Sequence, residues 1–191
     1  MAYVFIGGIP ASGKSHLAKE ISEEIGAFYF STDNLREEFS KDPQLEKWVN
    51  FYWNLDEKDY YTNIPCENQW KNLVNQSEAL WPKTLERIKQ VMQTHAAAIF
   101  EGVNILPHLA KKDLDFSGVF LLGESVEQIF GRNKQNPRWG RTEELQKMEA
   151  EAFFNCEGKM YKQEAEKYGY KTFRSSEEAK AEVLRLLGET L

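Results

Sequence analysis

Residues 8–15 of this chain read Gly8-Ile9-Pro10-Ala11-Ser12-Gly13-Lys14-Ser15, and this stretch decides the fold. The spacing is Gly, four residues, Gly-Lys-Ser, a pattern in which backbone N–H groups turn inward around the phosphates of a nucleotide. The positive end of the helix that follows adds to the attraction for negative charge. We therefore expect Lys14 to reach the outer phosphates and the Ser15 hydroxyl to contact Mg²⁺. The predicted nucleotide contacts are Gly8, Pro10, Ala11, Ser12, Gly13, Lys14, Ser15 and, one residue further on, His16.

The sequence on either side of this loop supports the interpretation. The run Tyr3-Val4-Phe5-Ile6 is apolar and rich in residues that favour strands. Behind the loop, apolar residues recur at helical spacing until Gly26, a typical helix stop. Strand, loop and helix thus follow in the order that a phosphate-binding loop needs. The alternative is a glycine-rich turn that binds nothing.

Further apolar runs predict four more strands, which alternate with helical patterns. These strands are expected at 27–30, 96–100, 118–122 and 170–173. Such alternation is typical of a parallel sheet covered on both faces. The sequence therefore predicts an α/β fold, a three-layer αβα sandwich with a five-stranded parallel sheet and a small helical insert.

We expect one domain over residues 1–191, with the helical, aromatic insert at about 43–94 and a lid at about 132–145. The apolar spacing over 67–93 predicts one helix kinked at Pro82, or two helices that meet there. A single helix is expected from Thr142 to about Tyr168.

The stretch 43–66 is crowded with aromatic residues and acids. Trp48, Phe51, Tyr52 and Leu55 fall at helical spacing. One interpretation is the core of a small helical insert, since aromatic stripes mostly serve packing. The other is an aromatic wall over a substrate site.

Polar residues follow the predicted strands where ligands bind in parallel sheets, beyond the carboxyl ends. Asp33 follows the second strand, and Arg36 comes one helical turn later. A carboxylate that orients an attacking hydroxyl and a cation that holds the transferred phosphoryl group are what phosphoryl transfer needs. The alternative is an Asp that caps a helix and pairs with Arg36. Glu101 ends the third strand and is expected to hold the Mg²⁺ shell or the substrate, or to face solvent.

Arginines cluster around the turn Asn136-Pro137. Arg132, Arg138 and Arg141 carry planar guanidinium groups that suit phosphate. A mobile segment of this kind closes over a nucleotide and excludes water, and the alternative is an exposed charged loop. Arg132, at the end of the helix after strand four, is the residue expected to bind the nucleotide and act in catalysis.

Bulk composition excludes several partners. The formal net charge is −6 and no Lys/Arg cluster is visible, so long nucleic acids are poor candidate substrates. No apolar run approaches the ~20 residues that span a membrane. Cys66 and Cys156 lie far apart without a metal-ligand pattern, and we interpret them as buried or free thiols of a reducing cytoplasm.

These motifs resemble those of the small-molecule kinases of the phosphate-loop (P-loop) NTPase superfamily. Polynucleotide kinases, chloramphenicol phosphotransferase and zeta-toxin kinases share parts of this plan, and the Asp-x-x-Arg pattern of several of them is matched by Asp33 and Arg36. The segment Phe100-Glu101-Gly102-Val103-Asn104-Ile105-Leu106-Pro107 is similar to 2-phosphoglycerate kinases in its Glu-Gly-Val and Leu-x-Pro arrangement. Within that segment, Glu101 and Asn104 are predicted to bind substrate.

The sequence therefore predicts an ATP- and Mg²⁺-dependent kinase. Lys14, Asp33, Arg36 and Arg132 would act in the transfer of the γ-phosphate to a hydroxyl of a small metabolite, with Asp33 as base or orienting group. Two alternatives stay open: a nucleotide-binding regulatory protein with little or no transferase activity, and a nucleoside or 5′-hydroxyl polynucleotide kinase. The acceptor and the oligomeric state do not follow from the sequence.

Overall fold

The computed structural model describes residues 2–188, and its centre is a five-stranded sheet. The strands are Ala2–Gly8 (β1), Phe28–Ser31 (β2), Ala97–Glu101 (β3), Gly118–Leu121 (β4) and Lys171–Phe173 (β5). All neighbours pair in parallel, in the order β2-β3-β1-β4-β5. The predicted parallel sheet is confirmed, with strand bounds shifted by one or two residues.

Ten α-helices surround this sheet within residues 2–188. They are Lys14–Ile25 (α1), Arg36–Phe39 (α2), Glu46–Val49 (α3), Glu57–Asn63 (α4), Cys66–Thr94 (α5), Pro107–Asp113 (α6), Val126–Gln135 (α7), Glu143–Ala152 (α8), Gly158–Tyr168 (α9) and Ser176–Gly188 (α10). Short 3₁₀ helices span Thr32–Leu35 and Tyr52–Asn54.

Alternate side chains of β1 build two separate cores. Val4 and Ile6 pack in a cluster with residues of α1 and α10, whereas Tyr3 and Phe5 pack in a cluster with residues of α5, α6 and α9. Because side chains alternate along a strand, helices on both faces give the three-layer αβα sandwich that was predicted.

The register of the sheet brings three strand ends to one edge. Glu101 at the end of β3 pairs with Ile6 of β1 on one side and with Ser31 of β2 on the other. The loop after β1, the segment after β2 and the end of β3 are therefore neighbours, as the rule for parallel sheets requires.

The two predicted long helical segments have different outcomes. Residues 67–93 lie in one helix, α5, which includes Pro82, so of the two predicted alternatives the single helix is confirmed. The single helix expected over 142–168 is instead interrupted, because Phe153–Glu157 forms a π-helical segment between α8 and α9. Hydrophobic spacing does not reveal one extra residue in a turn, and such π-bulges are frequent at functional sites.

The two cysteines also differ from the prediction. Cys66 and Cys156 are joined by a disulfide with their Cα atoms 5.4 Å apart, so they are not free thiols. The fold brings together residues that are 90 positions apart, which spacing alone cannot show. The cysteines therefore give no support to a reducing cytoplasm. In residues 2–188, no helix has the length and apolar character needed to cross a membrane.

Candidate active site

The loop between β1 and α1 has the backbone shape of an anion cradle. Gly8 and Gly13 have φ values of +121° and +105°, and Ala11 has a φ of +54°. A Cβ on Gly8 would lie 2.1 Å from the carbonyl oxygen of Leu121, so both the conformation and the space require glycine there. Alternation of left- and right-handed residues turns successive N–H groups to one side, as in anion-binding nests.

Lys14 lies inside this cradle and is almost fully buried. Its Nζ donates to the carbonyl oxygen of Ile9 at 2.6 Å. Burial lowers the pKa of Lys14 to about 8, and the nearby carboxylates of Asp33 and Glu101 oppose that shift. A phosphate in the loop would stabilise the charged form of this amine, since an adjacent anion favours the ammonium.

The rest of the loop offers groups that could hold a nucleotide and a metal ion. The Ser12 hydroxyl is buried and has no hydrogen-bond partner in residues 2–188, which leaves it available to a bound group. Ser15 and His16, in the first turn of α1, are exposed, and both line a cleft of about 470 Å³ in front of the loop, which we call the loop cleft. Ser15 would be the protein ligand of Mg²⁺ there.

Arg132 of α7 packs directly against the loop. Its guanidinium donates to the carbonyl oxygens of Ser12 at 2.6 Å and Ala11 at 3.2 Å, and to Gln128 at 3.0 Å. The same group lies 3.2 Å from where a Cβ on Gly13 would stand. Arg132 thus lines the loop cleft, and its contact with a nucleotide stays a prediction.

Asp33 lies beside the cradle, directly after β2. Its Oδ1 accepts from the backbone N–H of Val103 at 3.1 Å, and its Oδ2 is 3.7 Å from the guanidinium of Arg138. The alternative interpretation, in which Asp33 pairs with Arg36, does not hold, because the ion pair of Asp33 is with Arg138. Arg36 instead donates to the carbonyl oxygen of Val49, although its charge still interacts with that of Asp33.

Glu101 is buried at the end of β3. Its Oε1 accepts from the Tyr29 hydroxyl at 2.8 Å, whereas its Oε2 has no hydrogen-bond partner in the described part of the chain. The Thr32 hydroxyl donates to the Glu101 carbonyl at 3.1 Å and ties the strand ends together. Glu101 therefore does not face solvent, and its free oxygen is available to a ligand or a metal-bound water.

A second cavity of about 290 Å³, the aromatic cavity, also borders Asp33. It is lined by Asp33, Arg36 and Arg138, by the aromatic residues Tyr52, Trp53, Tyr61, Trp139 and Phe153, and by several polar side chains. Asp33 and Arg138 line the loop cleft as well, so the two spaces meet at this ion pair. Of the aromatic stretch 43–66, Tyr52, Trp53 and Tyr61 thus form a wall of the cavity.

Asn104 also lines the aromatic cavity. Its side-chain amide donates to Ser77 at 2.8 Å and to Gln76 at 3.4 Å, both on α5. These contacts hold the amide from behind, so its orientation is fixed before any ligand arrives.

The sequence interpretation missed two carboxylates of this cavity, Glu149 and Glu157. Burial raises the pKa of Glu149, which accepts from the backbone N–H groups of Trp139 and Gly140. Burial raises the pKa of Glu157 to about 8. A signal was present for Glu157, since it occupies a position in the apolar stripe of Ala150, Phe153 and Tyr161.

Comparison with known proteins supports the fold. No family model and no curated protein sequence matches the chain. Among solved structures, a shikimate kinase from Acinetobacter baumannii in complex with shikimate has a TM-score of 0.55 at 11% identity, covering 100% of this chain and 94% of that chain. A deoxyadenosine kinase from M. mycoides with products dCMP and dCDP has a TM-score of 0.51 at 18% identity, covering 98% and 97%. The chain therefore shares the α/β fold of these two kinases.

Proposed function

We propose that this protein is an ATP-dependent kinase that transfers the γ-phosphate to a hydroxyl group of a small metabolite. The observation that carries the proposal is the meeting of two cavities at Asp33 and Arg138. One cavity contains the phosphate-binding loop, and the other is enclosed by aromatic and polar side chains. A nucleotide sensor needs only the first.

The charges around the junction suit phosphoryl transfer. Lys14 and Arg132 would hold the donor phosphates, and the Ser15 hydroxyl would be the protein ligand of Mg²⁺, which neutralises charge on the phosphates when bound. Arg138 can turn from the Asp33 carboxylate towards the transferred group, because its ion pair is long and its side chain is 40% exposed.

Asp33 would orient the attacking hydroxyl. The backbone N–H of Val103 holds one of its oxygens, which leaves the other directed to the junction with Arg138. The transition state of phosphoryl transfer is loose, so positioning of the nucleophile contributes more than its full deprotonation. Arg36 would support the acceptor side, since it lines the aromatic cavity and not the loop cleft.

The kinases of shikimate and of deoxyadenosine that share the fold act on small hydroxylated molecules, which agrees with this proposal. An ATP-dependent enzyme needs a compartment that contains ATP, which favours the cytoplasm.

The test is a metabolite library screened for ATP-dependent phosphorylation, with Lys14→Ala as the blank. We expect Asp33→Asn to lower kcat by about 10²-fold or more while ATP affinity stays within about twofold, because the carboxylate acts on the acceptor. Asp42→Asn is the matched control, since the Asp42 side chain is as half-buried as that of Asp33 but pairs with Lys83 and lines neither cavity. Full activity of Asp33→Asn would contradict the role of Asp33, and ATP binding without any phosphorylated product would favour the regulatory alternative.

A further inference from the structure

The aromatic cavity has a nearly continuous wall of rings. Trp139 lies 5.8 Å from Tyr52 and 5.7 Å from Tyr61 between ring centroids, and Tyr61 lies 6.5 Å from Phe153. Trp53 adds a half-exposed ring at the cavity. The negative faces of such rings attract cations, most strongly where water is excluded.

Glu157 is the buried carboxylate of this cavity that has no hydrogen-bond partner for its Oε2 within residues 2–188. The side chain comes from the π-helical segment Phe153–Glu157 and is 9% exposed. An unpaired carboxyl group in such a place costs free energy, whether it is charged or protonated, and native structures rarely retain one without a ligand or a function.

The other charged groups of the cavity are already engaged. Glu149 accepts from two backbone N–H groups and from the Asn133 amide at 3.3 Å. Arg36 donates to the Val49 carbonyl, and Arg138 pairs with Asp33 at the junction with the loop cleft. Incoming phosphate would attract Arg138 further, so Glu157 would be left without a cation of its own.

We propose that the acceptor is a hydroxylated compound that carries a protonated amine or a quaternary ammonium group, and that Glu157 and the aromatic wall bind that cation. This inference rests on the proposed kinase function, because only a kinase has an acceptor for the phosphoryl group. The cation site itself can be tested by binding, without turnover. The cavity volume of about 290 Å³ suits a small amino alcohol or an amino sugar.

The protonation of Glu157 gives the site a measurable signature. With a pKa of about 8, the carboxyl group of the empty cavity is mostly protonated at pH 7. A bound cation stabilises the carboxylate, so binding at pH 7 releases about one proton and the affinity rises between pH 7 and 9. The titratable and charged groups that interact with Glu157 are Arg138, Lys14, Glu149, Tyr52, Tyr60, Tyr61 and Tyr161. The tyrosines stay neutral in this range because burial raises their pKa values. Lys14, with a pKa of about 8, titrates in the same range, so the signature of Glu157 is the proton release that Glu157→Gln removes.

The binding test uses the full chain and two probes of equal shape, tetramethylammonium and tert-butyl alcohol. Isothermal titration in two buffers of different ionisation enthalpy measures affinity and proton release. We expect saturable binding of tetramethylammonium with proton release at pH 7, and at least about tenfold weaker binding with no proton release in Glu157→Gln. Glu151→Gln is the matched control, because Glu151 is exposed on α8.

ATP titration and circular dichroism verify that Glu157→Gln is folded. Three results would each overturn the cation site. They are equal affinity for tert-butyl alcohol and tetramethylammonium, no saturable binding of tetramethylammonium, and an affinity for tetramethylammonium in Glu157→Gln that equals that of the wild type.

Turnover separates this inference from the proposed function. Glucosamine is compared with glucose, and ethanolamine with ethylene glycol, as acceptors with ATP. A kcat/KM at least about tenfold higher for the amine of a pair, lost in Glu157→Gln, supports the inference. Phosphorylation of the neutral partners with equal efficiency overturns it and leaves the kinase proposal standing. Binding of tetramethylammonium without transfer to any hydroxyl compound, library members included, overturns the kinase proposal and retains the cation site.

Discussion

Loss of the Cys66–Cys156 disulfide should destabilise the protein strongly. The bond closes a loop of 90 residues, which includes all of α5, β3, β4 and the helices up to the π-helical segment. In the chain-entropy description, opening a loop of this length lowers the free energy of unfolding by about 4.6 kcal/mol at 25 °C. For a chain of this size that corresponds to a fall in Tm of about 9–18 °C.

The assay is thermal and urea unfolding of the wild type before and after reduction. The chain has two cysteines, so reduction breaks this bond and changes no other side chain. The oxidised wild type is therefore the matched control for the reduced wild type. The Cys66→Ser/Cys156→Ser double variant should have the same stability as the reduced wild type. Adding reductant to the double variant should leave its Tm and its urea midpoint unchanged.

Thiol counting in the unfolded protein makes the test decisive. Two reactive thiols in wild-type protein that has never been reduced would mean that the bond does not form. Coincident unfolding curves for the oxidised and reduced protein would refute the entropic estimate, because the unfolded chain would then gain no freedom from reduction.

Two further changes test the site and the pH dependence of stability. Gly102→Ala would place a Cβ 1.9 Å from the Thr32 hydroxyl and 3.0 Å from Oδ1 of Asp33, so we expect kcat to fall by about 10²-fold at unchanged ATP affinity, measured by steady-state kinetics and titration. Unaltered kcat would show that Thr32 moves away without consequence. Hydrogen bonding to Glu164 raises the pKa of His108. Protonated His108 therefore stabilises the folded state fully below pH ~6.5, and this stabilisation is lost as the pH rises through the raised pKa. His108→Gln should remove that part of the pH dependence in urea unfolding, and an identical profile would contradict it.

The sheet could be predicted from the sequence because each strand is a short apolar run and the runs alternate with helical patterns. Asp33 and Glu101 could be placed near the loop because parallel strands end at the same edge. The partner of Asp33 could not, since Arg138 is 105 positions away and reaches it only through the path of the chain after α7. The disulfide could not be predicted for the same reason, because contacts between distant residues depend on the packing of whole helices.

Glu157 shows why a mismatch with the apolar pattern is informative. The residue occupies a position where an apolar side chain would pack with Phe153 and Tyr161, yet it is a carboxylic acid. Its pKa of about 8, against 4.5 for an ordinary glutamate, means that at pH 7 the folded state is destabilised by about 3 kcal/mol relative to an unperturbed carboxyl group. That is a large fraction of the stability of an ordinary domain. A binding group incurs a cost of this size before its ligand arrives. In the proposed site the acceptor brings the cation that would restore the charge of Glu157, so the empty aromatic cavity carries that cost.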